Sequence, residues 1–213
     1  MLNFSDNPLF LSSVLFLLSL SPFLIIAGTP FLKFIVVFGI LKNALGIQQI
    51  PPNMAMAAMA LILSAISMLP VGYEIAENLN DDMLIFHNKN FIFEIDDKIL
   101  YPYKEYLIKH TDESSLSFFR DEYLKRTAGR EAFSDSLLVL LPSYMLAQLK
   151  SAFIIGFLLY LPFIAIDLII SNILLALGMM MVSPVTISIP FKILLFIVIG
   201  GWQELFSSLL DIS

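Results

Sequence analysis

The chain has 213 residues, of which 58% are hydrophobic and 14% are charged, and its formal net charge is −6. Soluble globular domains are about 45–50% apolar and about one quarter charged, so this composition excludes an ordinary soluble domain and predicts a membrane protein. The negative charge and the lack of a basic cluster exclude DNA and RNA binding, and the absence of cysteine excludes disulfides, thiolate catalysis and cysteine-containing metal sites.

The first hydrophobic block, residues 1–76, contains two runs without any charged residue, 7–32 and 43–73. Each run is longer than the roughly 20 residues with which a helix spans a bilayer. The polar stretch 42–53 separates them, so the block is predicted to be a helical hairpin. The adjacent prolines at 51 and 52 are expected to stop the first helix, and Asn53 is expected to cap the second by accepting hydrogen bonds from its free amides.

The N-terminus carries Asp6 and has no lysine or arginine before the apolar run. A cleavable secretory signal peptide usually has a positively charged start. The first hydrophobic segment is therefore expected to remain in the mature chain.

The segment 77–136 is predicted to be a small polar domain inserted between two hydrophobic blocks, because it holds 21 of the 30 charged residues and both histidines. Within it, 91–95 could form a short strand. Thr111 followed by two acidic residues predicts a helix start, with one face formed by Leu116, Phe119 and Tyr123 and a stop near Gly129.

The charges also predict an orientation. The first hairpin loop carries Lys42, with Lys33 nearby and no acid, whereas the segment 77–136 holds 13 acids against 8 bases. The positive-inside rule then places the polar segment outside the cytoplasm.

The second hydrophobic block, residues 137–213, is punctuated by Pro142, Pro162, Pro184 and Pro190. Because proline disrupts a helix interior, these residues predict broken helical pieces, each near or below one bilayer thickness. Unpaired backbone survives in a membrane only where protein or a water-filled cavity surrounds it. The pattern therefore hints at an element that lines a conduit.

Four charged residues lie inside apolar segments, where they are costly and usually face a partner, a cavity or a pathway. They are Lys33, Lys150, Asp167 and Lys192. The two lysines Lys33 and Lys150 could instead extend their ammonium groups to the membrane surface. Asp167 is expected to pair with a lysine of its own or a neighbouring subunit, or to hold a helix break by hydrogen bonding; a proton relay is a less favoured alternative.

Three successive methionines, Met179, Met180 and Met181, follow Gly178 and precede Pro184. They cannot all lie on one helix face. Methionine is flexible and polarizable and fills irregular gaps, so residue type alone favours ordinary packing or lipid contact. The functional alternative is a deformable seal around a pore.

No pattern typical of an enzyme or a metal site is present. There is no glycine-rich phosphate loop, and His87 and His110 lack metal-ligand spacing. The carboxylates of the polar segment are interspersed with lysine and arginine, which favours a solvated charged face over acid–base catalysis. The sequence therefore predicts no catalytic residue, no metal and no cofactor.

Two long segments carry a resemblance to a known family. Residues 43–53, NALGIQQIPPN, and residues 175–192, LALGMMMVSPVTISIPFK, resemble the two signatures of the SctR/FliP family of type III secretion. The segments 109–112, 140–144, 150–157 and 161–168 are also similar to the family pattern. The absence of a signal peptide and the Ser183-Pro184 pair favour the virulence (injectisome) branch over the flagellar one, and Gly200 stands where the family commonly has aspartate.

The resemblance implies an all-α subunit of the bacterial inner membrane that assembles as a homopentamer with SctS-like and SctT-like subunits. The assembly would be a helical, pseudo-hexameric export gate for unfolded proteins, with much of the apolar chain buried between subunits. The segment Met179 to Met181 would form the gasket that closes the channel, which reverses the preference for ordinary packing.

Two other interpretations stay open. A small-solute secondary transporter would use Asp167 and Lys192 for ion coupling and would be expected to contain internal repeats. A membrane scaffold without a conduit would tolerate replacement of the methionines.

Overall fold

The computed structural model describes residues 8–47, 49–80, 101–127 and 136–211. All regular secondary structure in these ranges is helical, which confirms the predicted all-α fold. The predicted strand at 91–95 and the predicted stop at Gly129 lie outside the described residues. The helices in the described ranges are α1 (Pro8–Gly28), α2 (Phe31–Leu45), α3 (Asn53–Ser67), α4 (Leu69–Asn80), α5 (Tyr101–Lys109), α6 (Glu113–Arg126), α7 (Leu137–Ala176), α8 (Pro184–Val198) and α9 (Gly201–Asp211).

The first half of the predicted hairpin is divided between α1 and α2 by Thr29 and Pro30. Thr29 Oγ1 donates a hydrogen bond to Ile25 O at 2.5 Å and accepts one from Ser64 Oγ at 2.9 Å. Tyr103 of α5 donates from its hydroxyl to Gly28 O at 2.9 Å. The Thr29 and Tyr103 hydroxyls thus bind free carbonyl groups at the C-terminal end of α1. Pro30 cannot do so, because proline has no amide hydrogen to donate.

Burial, together with the neighbouring Tyr106, raises the pKa of Tyr103 to about 12. Its hydroxyl therefore stays protonated at neutral pH and remains a donor to Gly28 O.

The prediction that Asn53 caps α3 is wrong. Asn53 is the first residue of α3, its side chain makes no capping bond, and its Oδ1 accepts instead from Lys42 Nζ at 2.9 Å. A lysine ammonium is a charged donor and therefore a stronger partner than a backbone amide.

The prediction that Pro142 and Pro162 divide the second block is also wrong. Both lie inside α7, a single helix of 40 residues, and Pro190 lies inside α8. Each internal proline removes one backbone hydrogen bond but leaves the others, which a chain in apolar surroundings must keep. At about 1.5 Å per residue α7 is about 60 Å long, roughly twice the thickness of a bilayer's hydrocarbon core. Pro184 is the first residue of α8, where a missing amide costs no bond.

The core is built around α2, which runs parallel to α7. Gly28, three residues before α2, lies close to Leu141 of α7, and Ile40 further along α2 lies close to Gly156 further along α7, so the two helices run in the same direction. Helix α9 closes the core from the other side, with Trp202 packed edge-on against Phe38 at 6.5 Å between ring centroids. The buried residues of this cluster are Phe34, Val37, Phe38, Leu41, Ala44, Leu45, Met56, Ala60, Leu63, Ala152, Phe163, Phe196, Leu205 and Leu209.

The helices of the polar segment rest on a second cluster at the N-terminal end of α7. Leu107 and Leu116 pack there with Val71, Leu140 and Tyr144. Helix α6 starts after Asp112, whose carboxylate accepts from the Ser115 amide at 3.1 Å, so the predicted helix start is confirmed.

The predicted inward face of α6 is confirmed as well. Leu116 is buried, and Phe119 and Tyr123 are half-buried.

Within the described residues, one helix, α7, is long and apolar enough to cross a membrane. Two further candidates arise if each bent pair counts as one span: α3 with α4, bent by 46°, and α8 with α9, bent by 62°. Large apolar side chains such as Phe153, Phe157 and Phe191 are exposed on the surface of the single chain.

Candidate functional site: the methionine loop and its charged junction

The methionine loop, residues 177–183, connects α7 to α8. The end of α7 is closed by two backbone bonds, from Met179 N to Leu174 O at 2.9 Å and from Gly178 N to Leu175 O at 3.0 Å. Gly178 has a φ of 73°, the left-handed conformation that this type of helix end requires and that glycine adopts without strain. The chain therefore turns away from the axis of α7 at a defined residue.

The three methionines project from this loop. Met180 is 82% exposed and Met181 is 101% exposed, while Met179 is 43% exposed. The thioether side chains of Met180 and Met181 thus have almost no support from their own chain and are free to contact something else.

Asp167 of α7 and Lys192 of α8 form an ion pair below this loop. Lys192 Nζ lies 2.6 Å from Asp167 Oδ2, and Ser188 Oγ donates to Asp167 Oδ1 at 2.5 Å. The Lys192 side chain is 3% exposed and that of Asp167 is 28% exposed. The carboxylate is therefore held on both oxygens by α8.

Lys192 also connects α8 to the end of α2. Its Nζ donates to Ala44 O at 3.0 Å, one of the last carbonyls of α2, where the helix dipole favours a cation. Beside it, a Cβ on Gly46 would lie 3.1 Å from Ile189 Cγ1. The segments 43–53 and 175–192, which the sequence presents as separate motifs, are therefore parts of one site. We call the set Asp167, Ser188, Lys192 and Ala44 O the charged junction.

Lys42 continues the polar contacts into the α2–α3 connection. Its Nζ donates to Pro51 O at 3.0 Å and to Asn53 Oδ1 at 2.9 Å. From the sequence, Lys42 bears only on the orientation of the chain, and Ser188 does not stand out. The polar contacts of Lys42 could have been expected from its place in one short polar stretch with Asn53. No sequence signal points to Ser188.

The remaining two predicted intramembrane charges lie away from the junction. Lys150 pairs with Asp112 of the polar segment at 2.8 Å and also donates to Ser114 Oγ at 3.1 Å. Lys33 is 1% exposed, and its Nζ lies 5.6 Å from the centre of the Phe34 ring. Lys33 is thus a buried residue of α2, and its ammonium does not extend to the surface of the chain.

The Lys150–Asp112 pair predicts an acid-sensitive joint between α6 and α7. The Lys150 ammonium, assisted by Ser114 and Ser115, holds the pKa of the Asp112 carboxyl well below its usual range. A carboxyl whose pKa is lower in the folded state stabilises the fold at pH values above its ordinary pKa of about 3.9. This contribution is lost as the pH falls through the lower, folded-state value.

Asp112→Asn keeps a capping side chain but removes the charge, so it is expected to destabilise the joint at pH 7. Both side chains of the pair are substantially exposed, 49% and 40%, so we expect an effect of about 0.2–1 kcal/mol. Hydrogen exchange of α6 amides measures this, and the difference from wild type should shrink below about pH 4. Asp121→Asn on the exposed side of α6 is the control, and an equal effect of both changes would contradict the assignment.

Comparison with known proteins places these features in context. The model of the FliP family matches residues 14–209. Over 202 residues the chain is 50% identical to the virulence protein YscR of Salmonella typhimurium, covering 93% of each chain. It is 50% identical over 196 residues to the Yop proteins translocation protein R of Yersinia pestis, covering 90% of each. It is 42% identical over 214 residues to the surface presentation of antigens protein SpaP of Salmonella typhi, covering 96% of each.

Proposed function

Because the chain belongs to the FliP family, we propose that it is a core subunit of a type III secretion export gate, the inner-membrane conduit for unfolded protein substrates. Membership confirms the resemblance drawn from residues 43–53 and 175–192. The names of the similar proteins refer to virulence and to translocation, which supports the virulence branch. Such a gate is a passive conduit, and other components supply the energy.

The surface of the single chain supports a multi-pass membrane subunit. Helix α7 is long and apolar enough to cross a membrane, and the bent pairs α3–α4 and α8–α9 add two further candidate spans. In this proposal residues 1–76 and 137–213 form the hydrophobic blocks, and 77–136 form a domain on the periplasmic side.

The exposed apolar faces of α7 and α8 support assembly into a larger complex. Phe153, Phe157 and Phe191 are each more than half exposed, at 60%, 63% and 55%. In the proposed homopentamer with SctS-like and SctT-like partners, neighbouring subunits cover much of this surface, and lipid covers the rest. Native mass spectrometry after coexpression tests this: a large detergent-stable oligomer is expected, and monomers or dimers alone would contradict the gate.

The observation that carries the gate proposal is the exposure of Met180 and Met181 on the loop between α7 and α8. A gate must seal against ions when idle and must fit many side chains in transit. Unbranched, polarizable methionine adapts to both conditions, whereas a stiff β-branched side chain does not. A ring of these loops around a conduit would act as a gasket.

Replacement of Met179, Met180 and Met181 by alanine tests the gasket. We expect a several-fold rise in ion conductance of membranes that contain the coexpressed complex, together with altered secretion, because the short side chains no longer fill the channel. Met145→Ala, a half-buried methionine near the other end of α7, is the control and should leave conductance at the wild-type level. Unchanged conductance in the triple variant would favour a scaffold without a conduit.

The transporter alternative makes a different prediction about Asp167 and Lys192. It requires these charges to exchange partners with a transported ion, whereas here they bond to each other, to Ser188 and to Ala44 O. Solute uptake by a monomer or dimer that disappears in Asp167→Asn would favour the transporter over the gate.

A further inference from the structure

We propose that Asp167, Ser188 and Lys192 are positioning residues that fix the methionine loop relative to the end of α2. This inference rests on the gate function proposed above and goes beyond it. It assigns to the charged junction the task of holding the gasket at a set position. Ser188 and the backbone oxygen of Ala44 thereby help to position the gasket of the gate.

The methionine side chains do not hold the loop in place. Met180 and Met181 make almost no contact with their own chain, as their exposure shows. Backbone bonds fix the loop to the end of α7, but its other end depends on where α8 begins. The position of the first turns of α8 therefore decides where the methionines lie.

The charged junction fixes those first turns of α8. Ser188 and Lys192 lie about one and about two helical turns beyond Pro184, and Asp167 lies about two and a half turns before the end of α7. Bonds of 2.5 Å and 2.6 Å to the two carboxylate oxygens hold α8 against α7 close to the loop.

The charged junction also fixes the position of α8 relative to α2. Lys192 donates to Ala44 O at 3.0 Å as well as to Asp167. Hydrogen bonds weaken within a few tenths of an ångström and have preferred angles, whereas apolar contacts tolerate some sliding. A nearly buried ammonium with acceptors on two helices therefore defines the position of α8 more narrowly than the surrounding leucines and isoleucines do.

The test measures the distance from the loop to the α2–α3 connection in the same chain. Because the chain has no cysteine, single cysteines at Gln49 and Met180 can carry spin labels without background. Labelled chains diluted in unlabelled ones, in the purified coexpressed assembly, give the intrachain distance by pulsed electron resonance. Wild type is expected to show one narrow distribution.

Ser188→Ala is expected to broaden and shift this distribution with little loss of folded protein, since it removes one hydrogen bond and no charge. Asp167→Asn/Lys192→Met is expected to do the same. It leaves no buried charge, so it should fold, but it cannot donate to Ala44 O. Lys150→Met removes an ion pair far from the loop and should leave the distribution unchanged. In cells, both junction variants should raise ion conductance several-fold.

Unchanged distances in both junction variants would overturn the positioning role, whatever the methionine variants do. The gate proposal fails separately, if the triple methionine variant conducts no more ions than wild type. A purely structural junction predicts a third pattern, in which the double variant recovers both stability and the wild-type distance; that pattern would also overturn the positioning role.

Discussion

Gly156→Val is expected to lower the free energy of unfolding by about 3 kcal/mol or more, the upper part of the range for overpacked cores. A Cβ at this position would lie 2.3 Å from Ile40 Cδ1 and 3.2 Å from Ile40 Cβ. A rotamer change of Ile40 can move Cδ1 away, but Cβ is fixed to the backbone of α2, so the close contact with Cβ remains. Valine would force α2 and α7 apart at the centre of the core.

Thermal unfolding in detergent measures the effect of Gly156→Val. Gly39→Ala is the matched control, because a Cβ on Gly39 of α2 meets nothing within 4 Å, and alanine should stabilise a helix interior by about 0.5–1 kcal/mol. Gly156→Ala combined with Ile40→Ala should be better tolerated than Gly156→Ala alone. A wild-type melting temperature for Gly156→Val would refute the close α2–α7 crossing.

Lys192→Met is expected to be the most destabilising change in the charged junction. Removing one partner of a buried ion pair typically costs about 3–5 kcal/mol, because the other charge is left uncompensated. Asp167 keeps 28% side-chain exposure and the bond from Ser188, so we expect a value at the lower end of this range. The loss of the donor to Ala44 O adds to the cost.

The same unfolding measurement on Asp167→Asn/Lys192→Met separates the charge from the packing. Replacing both charges by groups of similar volume is often close to neutral, so the double variant should regain most of the stability. Lys125→Met breaks only a surface pair with Glu122, 3.9 Å apart and well exposed, and should cost less than about 1 kcal/mol. Equal losses for Lys125→Met and Lys192→Met would show that the junction contributes no more than a surface bridge.

Composition and periodicity predicted the class of fold, because apolar runs and charge-free length are properties of the sequence itself. They failed at the prolines of α7. The rule that proline breaks a helix holds for isolated segments, whereas Pro142 and Pro162 lie in a helix whose flanking turns pack on other elements. The prediction that Asn53 caps α3 failed for a related reason, since Lys42, eleven residues away in the sequence, binds its side chain instead.

The junction could be predicted only in part. An acid such as Asp167 in an apolar segment requires a cation, and this follows from residue type alone. The choice of Lys192 over Lys33 or Lys150 depends on how α2, α7 and α8 pack, which the spacing does not encode. Ala44 O was beyond sequence reasoning altogether, because a backbone acceptor has no residue type to mark it.

Because α7 is long, a small change in its angle at one end displaces the other end by a larger distance. Near its N-terminal end it bears the cluster beneath α5 and α6 and, further along, the Lys150–Asp112 bridge, and at its far end it carries the methionine loop. A tilt of about 5° around the N-terminal end of a rod about 60 Å long moves its tip by about 5 Å, close to the width of one side chain. A small change in the angle of α7 at the end that carries α5 and α6 would therefore become a displacement of the methionine loop on the scale of a side chain.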